Sequence, residues 1–108
     1  MISLEFVETE IFTRRIVEML PDRAYSALQM FLIKRPDAGD LVPGGRGLRK
    51  LRWALREKGK SGGLRVIYYL YLKDRRVYFV YAYKKSEQED LTPEQLRDLA
   101  LYVKGGVL

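Results

Sequence analysis

The sequence predicts an α+β fold in the order β-α-α-β-β-β-α, with helices packed on a mainly antiparallel, twisted sheet. Three observations predict it. Apolar residues recur at helical spacing from Ile11 to Leu32, the period changes to two around Lys50, and a helix-start signature precedes a last apolar stripe at Leu96 to Val103. The 108 residues are expected to form one domain, residues 1–108, with a single core.

The elements follow in order. A short first strand is expected from Ile2 to Phe6. Thr9 then stands as an N-cap before Ile11, Phe12, Ile16, Val17, Met19 and Leu20. Pro21-Asp22 interrupts this helix. A second helix carries Ala24, Tyr25, Ala27, Leu28, Phe31 and Leu32 on one side and stops before Pro36. The pair is expected to lie against one face of the sheet. Asp37-Ala38-Gly39-Asp40 and Pro43-Gly44-Gly45-Arg46-Gly47 have loop composition.

Beyond the loop, Leu51, Trp53 and Leu55 alternate with Lys50, Arg52 and Ala54, giving one apolar and one cationic face. Arg56 to Gly63 reads as a basic, glycine-rich loop. Leu64 to Leu72, rich in β-branched and aromatic residues, reads as a central strand. Lys73-Asp74-Arg75 turns the chain, and Arg76 to Tyr83 returns as its hairpin partner. Thr92-Pro93-Glu94-Gln95 starts the last helix, with Thr as cap, Pro at the first helical position and Gln three residues after the cap.

The composition prunes the chemistry. There is no cysteine and no histidine, which removes thiolate and imidazole zinc sites, nucleophile–imidazole pairs and the histidine route to RNA cleavage. No disulfide framework exists, which agrees with a reducing compartment. Glu5, Glu8 and Glu10 stand where an export signal carries positive charge, and no apolar run spans a bilayer, so a cytoplasmic protein without a membrane partner is expected.

The net charge of +6 is unevenly spread. Residues 1–31 carry −2 and residues 86–108 carry −3. Residues 46–65 hold Arg46, Arg49, Lys50, Arg52, Arg56, Lys58, Lys60 and Arg65 against Glu57 alone. So lopsided a field attracts polyanions, whereas a scattered charge run is usually a solvated face. Lys50 and Arg52 project from one strand face. Arg65 opens the next strand, after a loop carrying Lys58 and Lys60, and Lys84-Lys85 close the last strand. If the three strands are neighbours, these groups converge on one surface. Fixed cations aimed at the extra negative charge of a pentacoordinate phosphorane supply electrostatic stabilisation. The proton carrier is either a lysine made acidic by neighbouring cations or Tyr83.

Two motifs are decoys. Gly59-Lys60-Ser61 ends like a phosphate-binding P-loop, but the required earlier glycine is Ala54 and a strand follows. Glu87, Glu89 and Asp90 suggest a metal site, yet they approach a helix N-terminus, where negative charge is favoured in any case. No metal and no cofactor are expected.

Gly47-Leu48-Arg49-Lys50-Leu51-Arg52, then Lys58-Gly59-Lys60-Ser61-Gly62-Gly63-Leu64-Arg65-Val66-Ile67-Tyr68-Tyr69, then Tyr83-Lys84-Lys85 and Asp90-Leu91-Thr92 together resemble the HigB branch of the RelE superfamily of bacterial toxins. The resemblance runs from about Leu41 to Leu99. It implies a RelE-like fold and a toxin of a type II toxin–antitoxin system, acting as a ribosome-dependent, metal-independent mRNA endoribonuclease (an mRNA interferase) that inhibits translation. The implied partners are the ribosome, mRNA and a cognate HigA-like helix-turn-helix antitoxin. By position, the implied catalytic residues are Lys50, Arg52, Arg65 and Lys85, with Arg49, Arg56, Lys58, Lys60, Tyr83 and Lys84 as RNA-binding groups. The chain departs from the family where RelE-type enzymes carry a tyrosine shortly after the last strand. Glu87 to Leu91 contains none, and Tyr83 or Tyr102 stands as the substitute. Two other readings remain: a ParE-like gyrase inhibitor on the same fold, and a non-catalytic RNA- or DNA-binding module.

Overall fold

The computed structural model describes residues 3–54 and 63–104. Strand β1 (Glu5–Glu8) is followed by helices α1 (Glu10–Met19) and α2 (Asp22–Lys34), and then by β2 (Asp40–Leu41) and β3 (Leu48–Trp53). The hairpin β4 (Leu64–Tyr71) and β5 (Arg76–Lys84) comes next, and α3 (Pro93–Lys104) is the last described element. The five strands form one sheet in the order β1-β5-β4-β3-β2. Only β1 and β5 run parallel, so the sheet is mainly antiparallel, as the period-two pattern predicts.

The first strand lies at Glu5–Glu8 rather than Ile2–Phe6, and the reason is non-local. Phe79 of β5 stacks between Phe6 of β1, at a centroid distance of 5.4 Å, and Phe12 of α1, at 4.7 Å. Stacked aromatic pairs add about 0.5–1.5 kcal/mol beyond their buried area, so β5 selects the register of β1. Thr9 then starts α1 as expected, its Oγ1 accepting from the Phe12 amide at 3.2 Å. Along α1 and its C-cap the core takes Phe12, Ile16 and Leu20, one residue per turn, while Ile11 and Val17 face outward. The apolar pattern in the sequence is wider than the face the sheet covers. In α2 the same holds: Leu28 and Leu32 are buried and Ala27 is exposed.

Strand β2 falls where loop composition predicts no strand. Its two residues owe their state to pairing with Arg49 and Lys50 of β3. The approach to it is held by Tyr68, whose buried hydroxyl donates to the Pro36 carbonyl at 2.7 Å and accepts from the Gly39 amide at 2.9 Å. A β-carbon at Gly39 would lie 2.8 Å from the Tyr68 ring, so glycine is required there.

Both faces of the sheet are covered. On one, α1 and α2 bury Phe12, Ile16, Leu28 and Leu32 against Leu51, Val66, Tyr68, Val77, Phe79 and Ala82. On the other, Leu99 of α3 joins Leu48, Ile67, Tyr78, Val80 and Tyr83. Burial on both sides explains why β4 reads as a continuous apolar run. The capping box of α3 forms as its residues predict. The Thr92 hydroxyl accepts from the Gln95 amide and the Gln95 side chain accepts from the Thr92 amide, each at 3.0 Å.

Strand β5 contains one irregularity that sets the site. Ile67 pairs with Tyr81 and Tyr68 with Phe79, which leaves Val80 as an extra residue, a β-bulge. Before it, Val77 and Phe79 face α1 and α2. After it, Ala82 takes that face, while Val80, Tyr81 and Tyr83 all lie on the α3 side. Without the inserted residue, plain alternation would carry Tyr81 and Tyr83 to the α1–α2 core.

Candidate active site

Leu51 and Trp53 face the α1–α2 core and Leu48 faces α3, so Lys50 and Arg52, at the parity of Leu48, share the α3 side of β3. The ladder places Arg52 opposite Arg65 of β4, and Arg65 opposite Tyr83 of β5. One row therefore crosses three strands as Arg52, Arg65, Tyr83. The next row is Lys50, Ile67, Tyr81. The three strands are neighbours, and the condition for Lys50, Arg52 and Arg65 to share one surface is met.

Two arginines directly opposite each other repel, a local cost to the sheet. Arg52 is exposed and Arg65 half-buried, and among the described residues neither has an acidic partner. The Arg65 guanidinium lies back over Gly63, where a β-carbon would come within 2.6 Å of Nη1.

Lys50 meets a carboxylate. Its Nζ is 3.2 Å from Asp90 Oδ1, which also accepts from the Leu91 amide at 2.9 Å and from the Tyr83 hydroxyl at 3.4 Å. Burial raises the Asp90 pKa, but the Leu91 amide, the Lys50 ammonium and the Tyr83 hydroxyl outweigh it and hold the carboxyl below its ordinary range. The Tyr83 ring is fully buried. Burial first, then the Asp90 charge and hydrogen bond, push its hydroxyl up to about 12, against a smaller opposing effect of Arg65. Near neutral pH Tyr83 is therefore a proton donor and Asp90 an anion.

The remaining expected site residues are placed differently. Arg49 has the opposite parity and donates to the carbonyls of Gly39 at 2.7 Å and Asp37 at 3.3 Å, so it holds the approach to β2 on the far side of the sheet from Lys50 and Arg52. Lys84 pairs with Leu64 and shares the parity of Ala82, away from the row. Lys85 is exposed just past β5, and its amide donates to the Gly63 carbonyl at 2.9 Å, which sets it beside the start of β4. Tyr102 is half-buried in the α3-side cluster. Arg56, Lys58 and Lys60 lie outside the described residues.

Two groups that sequence reasoning passed over belong to this region. Asp90 reads as charge at a helix start and as part of the Asp90-Leu91-Thr92 resemblance, and nothing local shows that β3 and β5 meet it. Arg15 of α1 reaches the edge of β5 beyond the end of β1. Its Nε donates to the Ala82 carbonyl at 2.5 Å, its Nη2 to Glu87 at 2.6 Å, and its guanidinium lies 5.1 Å from the Tyr81 ring centroid. Glu87 in turn accepts from the Lys84 amide at 2.9 Å, so Arg15 braces the turn that follows Tyr83. A sequence separation of 67 hides that contact.

The row of cations can neutralise negative charge developing on a phosphate, with a protonated hydroxyl beside it. Comparison with known proteins agrees in fold and family. The free-state structure of an E. coli RelE toxin carrying two arginine-to-alanine substitutions superposes with a TM-score of 0.56 at 16% identity, covering 94% of this chain and 98% of that one. The family model described as the RelE toxin of the RelE/RelB toxin–antitoxin system matches residues 33–105, a stretch holding β2 to β5, the Arg52–Arg65–Tyr83 row and Asp90. With well over half of its length matched, the chain belongs to that family of RelE toxins.

Proposed function

We propose that this protein is a HigB-type mRNA interferase, a cytoplasmic toxin that cuts mRNA on the ribosome and is neutralised by a cognate helix-turn-helix antitoxin. The observation that carries the reading is the cross-strand row Arg52–Arg65–Tyr83, in which both arginines lack an acidic partner among the described residues. Adjacent uncompensated arginines cost the sheet stability, and a polyanionic substrate removes that cost.

In the reaction, the 2′-oxygen of one nucleotide attacks the adjacent phosphorus and loses its proton to water, while the bond from phosphorus to the 5′-oxygen breaks and that oxygen takes a proton from water. A 2′,3′-cyclic phosphate and a 5′-hydroxyl result. Arg52, Arg65 and Lys85 offset the charge of the phosphorane, and Lys50 holds a neighbouring phosphate oxygen. Tyr83, protonated at neutral pH, donates its hydrogen bond to that same oxygen. The charge-stabilising groups are all side chains of the chain, so the mechanism calls for no metal. The ribosome supplies the in-line geometry that a cation-lined surface does not impose on free RNA.

The test is induction in living cells. Growth arrest with new cuts inside codons of translated mRNA, both abolished by Arg65→Ala, is the expected outcome. Arrest with intact mRNA and DNA-damage signalling would replace this reading with gyrase inhibition.

A further inference from the structure

The position of Asp90 Oδ1 has an unusual donor set for an exposed carboxylate. An ammonium from β3, a phenol from β5 and a backbone amide just ahead of the α3 cap all converge on it, at 3.2, 3.4 and 2.9 Å. Lysine, a hydroxyl and an amide at a helix start are the groups that proteins use to hold phosphate oxygens. We propose that this point is a phosphodiester subsite of the RNA surface, filled in the free protein by the chain's own carboxylate. This rests on the RNA-cleaving reading above. It adds that Asp90 competes with the substrate for Lys50 and Tyr83.

Three features support the exchange. The Asp90 side chain is 63% exposed, so it can swing into solvent and open the buried Tyr83 hydroxyl to an incoming phosphate. An exposed ion pair is weak, so an incoming phosphate with several cationic contacts displaces it readily. The subsite also adjoins the row, since Tyr83 is both its donor and the partner of Arg65. A phosphate held here places the neighbouring one over Arg52 and Arg65.

The experiment measures binding of a short 2′-O-methyl oligoribonucleotide, which cannot be cleaved through its 2′-oxygen, by fluorescence anisotropy at fixed low salt. Asp90→Asn keeps an acceptor for the Leu91 amide and is expected to tighten binding about two- to fivefold, the range an exposed ion pair allows. Glu89→Gln removes the same charge one residue away, at an exposed position outside these bonds, and is expected to tighten binding less. The Asp90→Asn gain should vanish when Lys50→Ala is added. In the unmutated protein the Leu91 amide resonance should shift as the oligonucleotide saturates. Equal effects of Asp90→Asn and Glu89→Gln, a gain that survives Lys50→Ala, or an unmoved Leu91 resonance would each overturn the subsite. Arg65→Ala separates the two levels. If it leaves affinity unchanged, the RNA reading itself fails; if it weakens binding while Asp90→Asn tracks Glu89→Gln, only the subsite does.

Discussion

The Thr9 hydroxyl donates to the Val80 carbonyl across 3.0 Å, joining the start of α1 to the one residue of β5 that has no partner in β4. The Thr9 amide takes the adjacent Phe79 carbonyl, also at 3.0 Å. One residue thus caps a helix and satisfies both carbonyls on the open side of the bulge. Thr9→Val keeps the shape and loses both hydroxyl contacts. It is expected to cost about 1–2 kcal/mol in chemical denaturation, the usual effect of a lost N-cap with a part-buried hydrogen bond. Thr9→Ser should recover most of that stability.

Arg49 and Arg65 separate structure from chemistry. Arg65→Ala should lower cleavage about a hundredfold or more, the scale of losing one charge-stabilising donor, with the denaturation midpoint unchanged or raised because Arg52 loses a like-charged neighbour. Arg49→Ala should do the reverse, lowering the midpoint because the Gly39 and Asp37 carbonyls lose their donor, while the folded protein still cuts. Purified variants compared for both properties test this. Equal losses of cleavage in the two would contradict it.

Tyr83 makes stability depend on alkaline pH with a definite sign. Its hydroxyl ionises near 10 when unfolded and at about 12 when folded. Above pH 10 the unfolded chain releases a proton that the folded chain retains, so folding weakens as pH rises from 10 to 12. Tyr83→Phe should lose less stability than the parent over that window, and the two curves should run parallel below it. Curves parallel throughout would mean that the phenol is not held in its neutral form.

The proposed metal-free mechanism is testable even though ribosomes require magnesium. A phosphorothioate at the scissile phosphate slows a metal-coordinated cleavage, and manganese restores it because it accepts sulfur better. No manganese rescue is expected here, since the proposed mechanism sets Arg and Lys against that phosphate. Rescue would assign the charge stabilisation to a metal.

Much of this arrangement is legible along the chain wherever its cause is local. Thr9 and Thr92 announce their helices because a cap and its amide lie three residues apart. Lys50 and Arg52 read as one face because alternation is a property of a single strand. The bulge at Val80 is not legible, because an inserted residue exists only relative to β4. That omission hides the route by which Tyr83 reaches the cation row. Arg49 looked equivalent to Lys50 as charge, and one step of parity sent it across the sheet. Asp90 and Arg15 act through contacts 40 and 67 residues distant, which no local pattern encodes.

The Arg52–Arg65–Tyr83 row is proposed to cut mRNA held by the ribosome. The direct measurement adds purified protein to one mRNA, either free or bound in a ribosome, and maps the new 5′ ends, with Arg65→Ala alongside. Cuts are expected within codons of the ribosome-bound mRNA only, each leaving a 5′-hydroxyl, and none with Arg65→Ala. Equal cutting of free and bound mRNA, or undiminished cutting by Arg65→Ala, would contradict it.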